Sequence, residues 1–253
     1  MSIGQELPPD LLTRSQPSAP LVVSTTLVGA SKDVVTEAIT SVVDWVDLCL
    51  LIDTGANDGS IDVARAAAGD KAVVRSYTWC NDFAHARNFA IDQATDLGAH
   101  WAVTVDADER MLIGDFPMRD YLASTEAGCL FAQDDARTYW KARFFLLPCP
   151  VRYEGPTHES FEGFRLNEER LFDVRFFELG KTDAQMRSKR LRDIEILTAH
   201  TEQHPSIPRR AQSHPRPVRL FIRLVRVRLL PSPPPAARRC VSRGSDQIRR
   251  LSD

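Results

Sequence analysis

The apolar run Trp101-Ala102-Val103-Thr104-Val105 ends abruptly in three acids, Asp106, Asp108 and Glu109. A short buried strand that delivers carboxylates to its C-terminal edge can hold a hard cation and, through it, a phosphate. Alternation along the strand sends Asp106 and Asp108 to one side, with Ala107 between them. Two oxygen donors at that spacing suit Mn2+ or Mg2+ bridging to a diphosphate. The triplet alone is a weak signal, because a chain with twenty-two Asp holds roughly two D-x-D triplets by chance. What strengthens it is a second acidic turn after another apolar run, Asp53-Thr54-Gly55-Ala56-Asn57-Asp58-Gly59-Ser60. There Gly55 and Gly59 are expected to supply positive φ rather than to cradle phosphate.

These turns need a framework that brings them together. Residues 21–28 are rich in β-branched side chains and predict a strand. Residues 31–43 follow with apolar positions 34, 35, 38, 39, 42 and 43, a helical stripe with Ser31 as its cap. Further strands are expected over 48–52, 72–77 and 101–105, and helices over 61–68 and 82–97. This alternation predicts an α/β fold with a Rossmann-like, mostly parallel sheet and helices on both faces. In such a sheet Asp53, Asp106 and Asp108 share the rim where open α/β sheets bind ligands. Beyond Met111 the pattern loosens. Short strands at 130–131, 139–147, 151–153 and 174–177 predict an irregular, partly antiparallel second half, and 189–200 a polar helix.

The bulk numbers narrow the function classes. The net charge of −2 over 253 residues is unevenly spread, because residues 209–253 hold twelve Arg, no Lys and two Asp. The body is therefore acidic, which weighs against nucleic acid as a partner. The five Cys are scattered without C-x-x-C spacing, which fits reduced thiols in a cytoplasmic protein better than a disulfide framework or a zinc site. Residues 1–19 read as a disordered Pro/Ser/Gln-rich leader without an apolar signal-peptide core. No apolar run reaches the length of a membrane span.

Four blocks together resemble the inverting family 2 glycosyltransferases with the GT-A fold. More narrowly, they resemble the bacterial subgroup of lipopolysaccharide-core glucosyltransferases and peptide S-glycosyltransferases. The blocks are Ile52 to Ser60; Trp79 with Asp82-Phe83-Ala84-His85-Ala86-Arg87-Asn88; Trp101 to Glu109; and Tyr153-Glu154-Gly155-Pro156-Thr157-His158-Glu159. They stand in the family's order across a domain at 20–180. The resemblance implies donor contacts at Asp53 (nucleobase), Arg87 and Asn88 (sugar or diphosphate) and Asp106 (ribose or sugar), with Asp58 bracing its turn. It implies Asp108 as the ligand of Mn2+ or Mg2+, and Glu109 as structural. An inverting displacement also needs a base, for which Glu159 is the first candidate, with His158 a partner or a contact to metal or diphosphate. Asp134 and Asp135 are rivals for that role. Trp79 and Trp101 are expected to pack rather than stack on sugar.

The implied activity is transfer of a hexose from a nucleoside diphosphate sugar, favouring UDP, to a glycan, lipid-linked glycan or peptide acceptor. Two features depart from the family. Its usual Asn-Glu segment after the first strand is replaced by Leu27-Val28-Gly29-Ala30-Ser31. A helix at 187–200 followed by Pro205 would normally lead into tetratricopeptide-type repeats, so residues 181–208 read as the start of a truncated repeat region. The tail at 209–253 then has two readings. Arg219, Arg223 and Arg226 opposite Leu220, Val225 and Val227 would make a basic amphipathic helix lying peripherally on the inner membrane surface. The abrupt Arg/Pro composition without Lys instead favours a disordered or out-of-frame stretch. The alternative function is a catalytically inactive or truncated GT-A-like protein that binds sugar nucleotides or glycans. A nucleotidyltransferase would need a Gly-rich phosphate loop after the first strand, which Gly29-Ala30-Ser31-Lys32 matches poorly.

Overall fold

The computed structural model describes residues 19–162 and 167–203. The leader through residue 18, Pro205 and the whole Arg-rich tail lie outside the described residues. The elements run β1 (Val22–Val28), α1 (Val35–Thr40), β2 (Leu48–Asp53), α2 (Ser60–Ala68), a 3-10 turn (Gly69–Lys71), β3 (Ala72–Ser76), α3 (Phe83–Asp96) and β4 (Trp101–Thr104). They continue with β5 (Glu109–Leu112), α4 (Met118–Ser124), β6 (Cys129–Asp134), β7 (Trp140–Leu146), β8 (Arg152–Glu154), β9 (Ser160–Glu162), β10 (Glu168–Glu178) and α5 (Asp183–Gln203).

The fold is α/β, built on a mixed eight-stranded sheet of order β3-β2-β1-β4-β7-β6-β10-β5 with flanking helices. The parallel expectation holds for β3, β2, β1 and β4, which pair in parallel with one another. β7 then runs antiparallel to β4 and to β6, while β10 pairs in parallel with β6 and antiparallel with β5. β8 and β9 form a separate antiparallel pair.

Apolar side chains from the two sheet faces seed two core clusters. One gathers Val35, Ile39, Leu51, Trp101, Val103, Phe144 and Phe176; the other gathers Leu50, Ile52, Ala90, Ile91, Ala102 and Phe145. Trp101 is fully buried and its indole Nε1 donates to the Leu122 carbonyl at 3.0 Å, so it packs, as expected. Among the described residues no helix is long and apolar enough to cross a membrane.

Several local expectations change. Ser31 does not cap the first helix with its side chain, because its hydroxyl donates to the Gly29 carbonyl and its backbone N–H to Ser60 Oγ. The regular helix shrinks to Val35–Thr40. The strand expected at 174–177 belongs to an eleven-residue β10. Its alternation is interrupted by a register shift between Leu171 and Arg175, which hid its length from a period-2 reading. The last helix starts earlier than expected because Thr182 and Gln185 form a reciprocal cap, the Gln185 amide oxygen accepting from Thr182 N–H at 2.8 Å.

Trp101→Ala removes the largest fully buried side chain and orphans the Leu122 carbonyl. It is expected to lower unfolding free energy by about 4 kcal/mol, read from urea denaturation at pH 7.

Candidate functional site

The strand ends set the site. Asp53 stands level with Val28 of β1, and Thr104 stands level with Thr25, so Asp53 and the turn after Thr104 flank β1. Two inter-strand spacings separate them, about 10 Å. Asp53 closes its own turn by accepting from the Gly55 N–H at 2.9 Å. Gly55 and Gly59 both take positive φ there, 91° and 83°. Asp58 braces the same turn, its Oδ1 accepting from the Ser60 N–H at 3.0 Å and the Ser60 hydroxyl at 2.5 Å. Those bonds from Ser60 hold the Asp58 carboxyl below its ordinary value.

Helix α3 and the β8–β9 hairpin are stitched together, and this brings two sequence blocks into contact. Asn88 donates from Nδ2 to the Tyr153 carbonyl and accepts at Oδ1 from the Tyr153 N–H, both at 2.9 Å. The Phe83 N–H donates to the Pro156 carbonyl at 2.9 Å. Asn88 is thus placed on the hairpin backbone, while Arg87, its neighbour on the helix, reaches the rim. Arg87 pairs with Asp106 Oδ1 at 2.7 Å and lies 3.6 Å from Glu159 Oε1. His158 takes a positive φ of 55° and is exposed, with Nε2 3.9 Å from Asp193 Oδ2 on α5. Of the expected site residues, Arg87, Asp106 and Glu159 converge; Asn88 and His158 neighbour them in sequence and are engaged with Tyr153 and Asp193, and Asp58 is engaged within its own turn.

The acids of the β4–β5 turn each have a cation. Asp106 Oδ2 lies 3.3 Å from Arg143, Glu109 pairs with Arg143 and with Lys141, and Asp108 pairs with Lys181. Burial works against ionisation of Asp106, but Arg87, Arg143 and Lys141 hold its carboxyl well below the usual range. Burial pushes Glu109 above its ordinary value although Arg143 and Lys141 oppose it. The rivals Asp134 and Asp135 are engaged in local contacts. Asp134 accepts from the Thr138 and Tyr139 N–H groups within its hairpin, and Asp135 pairs with Arg175.

Lys141, Arg143 and Lys181 had no part in the sequence expectations. The available signal was two cations at alternate positions of the otherwise apolar strand Trp140-Lys141-Ala142-Arg143-Phe144-Phe145-Leu146. Which acids they meet depends on strand register, which no local pattern reveals.

The residues that could hold a divalent cation are few. Among the described residues no three His, Cys, Asp or Glu side chains gather to enclose a metal. Mg2+ and Mn2+, however, commonly lean on one or two carboxylates and substrate phosphates. Asp108 fits that use. Its side chain is 34 % exposed and pairs with the Lys181 amine, which a cation on Asp108 would have to displace. Asp53, Asp106, Asp108, Glu109, Glu159 and Glu178 outnumber Arg87, Lys141, Arg143 and Lys181 along this rim. A diphosphate entering it therefore needs added positive charge.

No family model matches the chain, and no curated protein matches it. The chemistry of the rim must carry the functional reading.

Asp106→Asn leaves Arg87 and Arg143 facing one another without their shared anion. The expected cost is about 2 kcal/mol, less than breaking a fully buried pair because this carboxylate is 23 % exposed. Because its folded pKa is depressed, Asp106 stabilises the fold above the ordinary carboxylate range, and that contribution is lost as pH falls through it. Urea denaturation at pH 7, 5 and 3 should show a flatter acid limb in the variant than in the wild type.

Proposed function

We propose that this chain is an inverting glycosyltransferase of the family 2 type on a GT-A fold. It transfers a hexose from a nucleoside diphosphate sugar, preferentially a UDP-sugar, to a glycan, lipid-linked glycan or peptide. The observation that carries this reading is the meeting of Arg87, Asp106 and Glu159. These residues come from three separate segments and meet at the C-terminal edge of the parallel strands, with Asp53 across β1. The free cysteines Cys49, Cys80, Cys129 and Cys149 are consistent with a cytoplasmic setting.

In this reading Asp53 contacts the donor's base and Asp106 its ribose or sugar, while Arg87 faces the diphosphate. Glu159 accepts the proton of the acceptor hydroxyl or thiol. The freed lone pair bonds to the anomeric carbon from the face opposite the leaving group. The bond to the diphosphate oxygen breaks, and its electron pair leaves with the diphosphate. Asp108 would hold a Mn2+ or Mg2+ ion, which would supply positive charge for the leaving diphosphate. The same Arg87 guanidinium spans Asp106 and Glu159, so it ties the donor side of the cleft to the base.

Saturation of Asp106 and Asp108 by resident cations also favours a second reading, a sugar-nucleotide-binding protein without turnover. The two separate in one set of assays. UDP-sugar with Mn2+ should raise the melting temperature by several degrees, and Asp108→Asn should abolish the metal-dependent part of the shift. Slow donor hydrolysis, lost at least 100-fold in Asp108→Asn (about 2.7 kcal/mol of transition-state stabilisation), marks an enzyme. Stabilisation without hydrolysis or transfer marks the binding protein. If no nucleoside diphosphate shifts the melting temperature, both readings fail.

A further inference from the structure

Arg143 lies in the interior of β7, in the middle of the sheet, with its side chain 3 % exposed. A guanidinium there is costly to desolvate, and neighbouring strand positions hold Phe144 and Phe145. Its placement has a specific geometry. The turn from β4 to β5 is closed by the Glu109 N–H donating to the Asp106 carbonyl at 2.9 Å. Arg143 contacts the side chains at both ends of that turn, Asp106 at 3.3 Å and Glu109. Its plane lies over the Phe176 ring, with Cζ 5.0 Å from the centroid, and its Nε has no hydrogen-bond partner among the described residues. A single nitrogen, Nη2, makes both contacts and so staples the turn, and Asp108 is the acid held between the stapled ends.

We propose that Arg143 is a positioning residue of the donor site. By joining Asp106 to Glu109 it fixes the orientation of the Asp106-Ala107-Asp108 turn, and with it the carboxylates presented to the nucleoside diphosphate and its cation. This rests on the donor reading of Asp106 and Asp108. Arg87 fixes Asp106 Oδ1 from the helix side and Arg143 takes Oδ2 from the sheet side, so the carboxylate has a single rotamer. A lysine at 143 keeps the charge but lacks the guanidinium Nη2 that meets both carboxylates and the planar group that lies over Phe176. Stability alone gives no reason for the arrangement, because buried ion pairs are often matched or bettered by apolar residues of similar volume.

The test separates position from stability. Two variants of the full chain are compared with wild type by melting temperature and by calorimetric titration with UDP, GDP, ADP, CDP and dTDP in excess Mn2+. Arg143→Lys keeps the charge and loses the guanidinium. The double variant Arg143→Met with Glu109→Leu removes both buried charges together. We expect the double variant to melt at or above wild type and yet bind its nucleoside diphosphate at least tenfold more weakly, with Arg143→Lys also weakened about tenfold. Wild-type affinity in the stable double variant, within twofold, overturns the proposal and leaves the donor reading intact. Absence of binding by wild type to all five diphosphates overturns the donor reading and this inference with it.

Discussion

One chain of alternating charges governs the rest of the structure: Arg87, Asp106, Arg143, Glu109, Lys141 and Glu178, each within ion-pair distance of the next. It joins α3, the β4–β5 turn, β7 and β10. Every internal member touches two opposite charges, so each acid and each cation is held from two sides. Arg143 and Glu109 bear the strictest constraint, with side-chain exposures of 3 % and 2 %. Such a lattice has one good geometry, and strands of opposite direction must meet in one register to make it.

That requirement explains the division of the sheet. Four parallel strands deliver Asp53 and Asp106 to a common edge, as crossover connections demand. Their cation, Arg75 on β3, donates to the Val74 carbonyl instead of pairing with those acids. The cations come from the mixed half. β7 runs antiparallel to β4, so its first residues, with Lys141 and Arg143, lie beside the edge where β4 ends, while β10 ends beside the same turn. The Leu179 N–H donates to the Asp108 carbonyl at 2.8 Å, which sets Lys181 against the Asp108 carboxylate. The second half thus supplies counter-charge to acids presented by the first.

The third contribution comes from the β8–β9 hairpin. Its loop sits against the start of α3 through Phe83 and Pro156, and Asn88 clamps the strand backbone on both sides of Tyr153. Glu159 reaches Arg87 because of this stitching. Asn88, expected at the donor, is where a side-chain amide can satisfy a donor and an acceptor of one peptide strand at once, and Arg87 is left to face the rim.

Much of the parallel half was legible because its signals are local. Period-2 and 3.6-residue patterns mark strands and helices, and β2 and β4 end in acids that cannot be buried unpaired. The mixed half was legible only in fragments. β10 is broken by a register shift, β8 and β9 are three residues each, and the Thr182–Gln185 cap was overlooked. The sequence by itself determined that acids gather at one sheet edge, since strand direction and alternation require it. Tertiary structure alone decided which cations meet them, that Arg87 rather than Asn88 faces the rim, and that Arg143 joins Asp106 to Glu109. These contacts join residues more than thirty positions apart, except Arg87 and Asp106, which are nineteen apart on different elements. Their pairing follows from strand register and helix docking, which are properties of the packed core rather than of any local stretch of chain.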